Sequence, residues 1–243
     1  MSPTSKLGQK FIIRAFRAPD DPKACKLFAM GHEHLLRSVG VEKISSSGFE
    51  WADNLAVFVI VIESSDRTRV YGGLRVHIAD KVTQLPIEKA VGDADPTLGA
   101  SIALHNRASI GEICGLWNSL EAARYGVGSN LLARAVVAIS TRLNLTRLIV
   151  LTAPYVINMV EDLGFIINRT FGRNGEFIYP RPDMIATLLI NDDLDSLASA
   201  REEEREAVVE LRNNPEIKIV ENIRGKNVEL QYKLSIENGQ FVS

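Results

Sequence analysis

Two cysteines, Cys25 and Cys114, in 243 residues are too few for a disulfide framework or a four-ligand zinc site, and their separation fits no CxxC pair. Both read as buried thiols, and no metal is expected. Long apolar runs are absent too: stretches such as residues 55–62 and 148–151 fall far short of the roughly 20 residues that span a bilayer. No membrane association is expected. The opening MSPTSKLGQK does not lead into the apolar stretch of a secretion signal, so the expected compartment is the cytoplasm. Neither charge sign dominates, with 28 Lys/Arg against 30 Asp/Glu and a formal charge of −2. With 46% hydrophobic and 24% charged residues, this is the composition of a folded domain with a sizeable core, not of a disordered or fibrous chain.

The near-neutral total conceals a split. Residues 192–243 hold twelve Asp/Glu against seven Lys/Arg, a net of −5, which leaves +3 on residues 1–191. A mildly basic body suits a small anionic ligand better than nucleic acid, which calls for a strongly basic face. The pattern divides the chain at the same place, into a body of residues 1–191 and an acidic helix plus hairpin at 192–243.

Residues 10–17 are short, apolar and β-branched, the pattern of a first strand. A helix follows at 21–37, opened by Asp21 and Pro22 and ended before Gly40. Residues 54–64 and 68–79 read as a hairpin around Ser64-Ser65-Asp66-Arg67, with Gly72-Gly73 marking a bulge or close approach. The mixed segment 80–108 reads as a short helix and loops over the sheet edge. A fourth strand is expected at 109–117, a loop at 118–126, a long helix at 128–143, a strand at 147–152, a helix at 154–163, and strands at 165–170 and 184–191. Beyond these, 194–213 reads as a partly exposed helix with Glu202–Glu206 on a solvated face. The alternation around Arg224-Gly225-Lys226-Asn227 predicts a final hairpin.

The stretch Glu112–Asn130 carries the most chemistry. A strand ends in a loop containing Gly126-Val127-Gly128 and leads straight into a helix, so the free amides of the first helical turn and the positive dipole end point at the loop. Arg124, Tyr125, Ser129 and Asn130 flank this anion site. A Rossmann fingerprint fails because position 131 is Leu, and a Walker loop fails for want of Gly-Lys-Ser/Thr. His32 and His34, two apart on a helix, diverge and make a poor metal pair, and an exposed helix face is their simplest reading.

Ala123-Arg124-Tyr125-Gly126-Val127-Gly128 resembles the Gln/Arg-x-x-Gly-x-Gly/Ala motif of the GNAT superfamily of N-acetyltransferases, with Ala123 in the first position. The order of elements and the turn Leu163-Gly164-Phe165 resemble that superfamily as well. The resemblance implies an α/β (α+β) fold with a mixed, mostly antiparallel central sheet flanked by helices. It also implies an acyltransferase whose donor is acyl-CoA, such as acetyl-CoA, or an acyl carrier protein. Its pyrophosphate or phosphopantetheine would lie on the amides from Tyr125 to Asn130, including those of Val127 and Gly128. Its pantetheine arm would pair with the backbone at Leu116, Trp117 and Asn118, in a slot where the fourth and fifth strands splay. Glu112 is the candidate base for the acceptor amine, set against the plain alternative of an ion pair with Arg75 across the sheet. Tyr155 is the candidate acid, because Val160 stands where these enzymes often carry a tyrosine.

Tyr71-Gly72-Gly73-Leu74-Arg75, then Leu85-Pro86-Ile87-Glu88, then Glu112-Ile113-Cys114-Gly115-Leu116-Trp117 also looks like the acyl-homoserine lactone synthases and N-acyl amino acid synthases. There Arg75 would bind a substrate carboxylate, set against a strand-surface ion pair. The alternatives to a CoA-dependent enzyme are a carrier-protein-dependent N-acyl synthase and a catalytically degenerate binding module. Homodimerisation is left open.

Overall fold

The structure is a computed structural model and describes residues 9–41, 48–80, 83–223 and 225–236. A single mixed sheet organises it. Strands β1 (Gln9–Arg17), β2 (Val57–Glu63), β3 (Val70–Ile78) and β4 (Ile110–Asn118) form an antiparallel run, and β5 (Arg147–Thr152) joins β4 in parallel. Beyond β5 lie β8 (Ile185–Asn191) and the short β6 (Ile166–Ile167) and β7 (Glu176–Ile178), both paired to β8. At the opposite edge the hairpin of β9 (Lys218–Ile223) and β10 (Lys226–Lys233) continues the sheet, β10 pairing with β1 in parallel from Gln9↔Val228 to Arg14↔Lys233.

Helices cover both faces. The central strands are buried on both sides and read as continuous apolar runs such as VFVIVIE, every residue of which is buried. On one face lie α5 (Ser129–Ser140), nearly all of whose residues are buried, and α7 (Glu202–Asn213), packed on α5. The other face carries α1 (Pro22–Ser38), α2 (Pro86–Val91) and α3 (Pro96–Leu104); α4 (Leu120–Ala123) and α6 (Ile157–Glu161) are short. On the α1 face the apolar side chains form two separate clusters, one around Phe28, Trp51 and Trp117 and one around Ile87, Ile102 and Ile149.

Several expectations shift. The helix expected from 194 begins at Glu202, because Asp193 caps a compact turn by accepting from the Ser196 and Ala198 amides, and Leu197 adopts a positive φ of 51° inside it. Glu204 is not on a solvated face: it is buried and holds Arg134 of α5 through two bonds of 2.5 and 2.7 Å. The strand expected at 165–170 keeps only two residues, since the Asn168 side chain accepts from the Thr170 amide and turns the chain. The helix at 154–163 divides into a 3-10 turn at Pro154–Val156 and α6. Segment 80–108 holds two short helices, and His32 is buried against Phe28 while His34 is exposed. Cys25 is buried as expected, whereas Cys114 is half-exposed. Among the described residues no helix is long and apolar enough to cross a membrane.

Candidate active site

Strand alternation builds the site. On β3, Leu74, Val76 and Ile78 point into the core under α5, which sends Arg75 and His77 to the α1 face. On β4, Ile113 faces α5, so Glu112 and Cys114 join them. The register sets His77 opposite Glu112 and Arg75 opposite Cys114. Four polar side chains thus form a strip along the seam between the two apolar clusters of that face.

Arg75 is fully buried, 4.3 Å over the Trp51 ring and opposite Cys114 across the strands. Burial pulls its pKa down, opposed by the nearby Cys114 and Glu112. Arg75 and Glu112 sit one pairing step apart, with His77 opposite the carboxylate, and their charges act on one another. Glu112 Oε2 accepts the Ile87 N–H at 2.8 Å, which makes the carboxyl a remote cap for the first turn of α2. Burial pushes the Glu112 pKa up to about 8, with the Glu88 charge acting the same way and the Ile87 N–H and Arg75 opposing. Cys114 is pushed up to about 12 by burial, so it is a neutral thiol.

Beside this strip lies a cavity of about 130 Å³ whose wall includes Trp51, Arg75, His77, Thr83, Gln84 and Lys89. The His77 Nε2 atom is buried and, among the described residues, has no hydrogen-bond partner. Burial first, then the charges of Arg75 and Lys89, hold the His77 pKa down to about 3, so the ring is neutral.

On the far side of β4 a slot takes shape. Pairing between β4 and β5 covers only Ile110↔Arg147 to Ile113↔Val150, after which β4 stays with β3 and β5 with β8. The two strands part there, and the β4 residues beyond the fork, Cys114, Gly115 and Leu116, become half-exposed. Gly115 and Leu116 together face one β3 residue in a bulge, with Gly115 at a φ of 65°. A Cβ at Gly115 would also crowd Arg75 Nε and Nη2 at 3.3 Å. The backbone beyond the fork is thus left for an extended ligand to pair with.

At the base of the slot Gly128 precedes α5 and supplies no side-chain cap, so the first-turn amides of this twelve-residue helix are left for an anion. A Cβ on Gly128 would meet Asn118 Nδ2 at 3.3 Å, and Asn118 itself donates to the Val127 carbonyl at 3.2 Å. Asn118 Oδ1 is buried and without a partner among the described residues.

The structure narrows the amide set read from the sequence. The N–H groups of Tyr125, Gly126 and Val127 donate to Ala122 O, Ala123 O and Ala122 O within the turn, which leaves Gly128, Ser129 and Asn130 for an anion. Tyr125 packs edge-on against Phe11, and Arg124 offers its carbonyl to Lys226 Nζ at 3.1 Å. Tyr155, 88% exposed on the 3-10 turn after β5, is not brought together with the buried Glu112. His77 has no recognisable partner in the sequence, and neither Lys89 nor a role for the Ile87 amide could be read there. The alternation of Arg75 and His77 on one strand was the available signal for His77.

No protein-family model matches the chain, and no curated protein does. Solved structures do. FeeM, an N-acyl amino acid synthase from uncultured soil microbes, aligns over 78% of this chain and 95% of its own, at 13% identity and a TM-score of 0.57. BjaI, a CoA-dependent acyl-homoserine lactone synthase solved with SAM and isopentyl-CoA, aligns over 91% and 94% at 13% identity and a TM-score of 0.55. The chain has a GNAT-like fold. MesI, another CoA-dependent acyl-homoserine lactone synthase, aligns over 81% and 95% at 13% identity and a TM-score of 0.52. Within the GNAT-like body the forked slot and the Arg75–Glu112 strip lie on neighbouring stretches of β4, and among the described residues no cluster of three or more His, Cys, Asp or Glu is placed to hold a metal ion.

The buried titrating groups set a pH profile for stability. Glu112 has a folded pKa of about 8 against a usual 4.5, so its favourable contribution is complete below pH 4.5 and is lost as pH rises through 8. His32 and His77, held down to about 4 and 3 from 6.5, work oppositely: stability rises with pH until about 6.5. Urea unfolding midpoints are expected to peak near pH 6.5 and to decline toward pH 8 by at most ~1.4 kcal/mol per unit. The decline should vanish in Glu112→Gln; an unchanged decline in that variant would assign it to another group.

Proposed function

We propose that this protein transfers an acyl group from a CoA thioester to the amine of a small carboxylate-bearing acceptor of the amino acid type. The observation that carries the reading is the fork between β4 and β5, with a free helix N-terminus at its base and a buried arginine and a carboxyl of raised pKa beside it. That FeeM is an N-acyl amino acid synthase, and that BjaI and MesI are CoA-dependent, supports the acceptor class and the donor.

The donor's phosphates lie against the amides of Gly128, Ser129 and Asn130, and its extended arm pairs with β4 around Leu116, Trp117 and Asn118. The bulged backbone at Gly115 and Leu116 aims an amide at the thioester carbonyl, where it stabilises developing negative charge. Arg75 holds the acceptor carboxylate through its fork. Glu112, ionised, takes one proton from the acceptor nitrogen as the N–C bond forms and the C–S bond breaks. The electron pair leaves on sulfur, and a thiolate with an ordinary pKa of ~8.5 leaves without a dedicated acid. Tyr155 therefore has no required part.

Thermal unfolding with CoA tests the donor site. At 100 times the dissociation constant CoA stabilises the fold by about 2.7 kcal/mol, and Gly128→Glu, which places a carboxylate at the extended residue before the first turn of α5, removes the shift. A shift with acyl carrier protein but none with CoA would move the donor to the carrier; no shift with either would end the acyl-transfer reading.

A further inference from the structure

We infer that His77 is a specificity-determining residue that accepts a hydrogen bond from the acceptor's nitrogen and so selects primary over secondary amines; this rests on the acyl-transfer reading above. A buried ring nitrogen without a partner costs ~1–3 kcal/mol, and among the described residues His77 Nε2 is such an atom, in the wall of the cavity that Arg75 also lines. A ligand supplies the missing partner. The neighbouring cations Arg75 and Lys89 can only donate, and they favour the ring orientation and tautomer that present a lone pair rather than an N–H toward them.

Register then defines the ligand. His77 and Glu112 are directly paired across β3 and β4 on one face of the sheet, and side chains so placed have Cβ atoms ~4.5–5.5 Å apart. An amine that attacks a thioester directs its lone pair at the carbonyl carbon. A neutral primary amine then has two N–H bonds left, one for Glu112 and one for His77. A secondary amine has only one, and its extra alkyl group must replace the hydrogen bond to one of the two. Sites built around a buried hydrogen bond reject analogues lacking it strongly, because the site's own polar group is left unpaired. The step itself is unchanged: one proton moves to Glu112, while the bond to His77 orients the nitrogen and transfers nothing.

The test uses the intact protein in two arms. In the first, thermal unfolding without ligand compares the wild type with His77→Phe and His77→Gln. An apolar ring of similar size removes an unmet polar atom, so His77→Phe should match or exceed the wild-type Tm; a fall of several degrees would show that His77 is satisfied within the fold and overturn the inference. In the second, thiol release from octanoyl-CoA is followed with the twenty L-amino acids, each beside its N-methyl form where one exists. The wild type should prefer the primary amine of its best acceptor by about 100-fold in kcat/KM. His77→Phe should reduce that preference to below tenfold without moving the donor KM, and His77→Gln, whose amide oxygen can take the place of Nε2, should restore it. Equal preference in the wild type and His77→Phe would overturn the inference. Failure of the acyl-transfer reading has a different signature: the wild type releases no thiol with any acceptor, while the unfolding arm still decides whether His77 is poised for a ligand.

Discussion

Glu112→Gln is expected to lower acyl transfer by roughly 10²–10⁴-fold, the range in which a positioned base contributes, while leaving the protein folded and able to bind CoA. The substitution isolates the proton acceptor because glutamine keeps the shape and its oxygen can still accept the Ile87 N–H that the carboxylate holds at 2.8 Å. The first turn of α2 therefore stays capped. With a pKa of about 8 the wild-type carboxyl is largely protonated at neutrality, so kcat/KM should rise with pH and level off above 8. The acceptor amine also loses its proton in that range, so the variant is the control: its residual rate should keep only the amine's dependence. If Glu112→Gln turns over at the wild-type rate, the base lies elsewhere and Glu112 serves α2 alone.

The second large effect is expected at Arg75. Arg75→Leu should raise the acceptor KM by about 100-fold or more, since losing one member of a buried charge pair costs ~2–5 kcal/mol, with donor affinity unchanged. Arg75→Lys should not restore it. The guanidinium carbon lies 4.3 Å over the Trp51 ring centroid, and a lysine ammonium offers neither a planar group to place there nor the two-pronged donor set. Folding should suffer as well, because Arg75 lies over the Trp51 ring and its charge acts on Glu112, and removing one member of a buried charged set is destabilising. Steady-state kinetics with acceptor and donor varied separately, alongside urea unfolding, checks all three statements. A change in donor KM instead would assign Arg75 to the slot.

How much of this could be read from residues alone depended on whether the governing force was local. The strands of the central sheet carry their own signal, β-branched runs such as VFVIVIE bounded by turn residues, and the glycine turn before α5 announces itself through Gly126 and Gly128. What sequence did not supply was set by partners far along the chain. Glu204 sits in a run of acidic residues that looks solvated, yet Arg134, 70 positions away, takes it inside. The facing of His77 and Glu112 depends on the registration of β3 against β4, and no pattern on either strand shows it. β7 was missed because it is three residues long and pairs with β8 far along the chain, with Gly172 and Gly175 at positive φ breaking the alternation around it. The spent amides of Tyr125, Gly126 and Val127 were likewise hidden, since the same loop sequence serves both to close a turn and to receive an anion.

The pairing of β10 with β1 also dictates an order of events during synthesis. One neighbour of β1 is β2, reached within some 50 residues, but the other, β10, begins at Lys226. A ribosome elongating at ~5–20 residues per second therefore exposes β1 as an open sheet edge for several seconds before its second neighbour is made. Such an edge is a template for foreign strands. The nascent chain should depend on holding factors over that interval, and a copy cut short before residue 226 should accumulate as aggregate, even though its forked slot and its Arg75–Glu112 strip are already encoded in full.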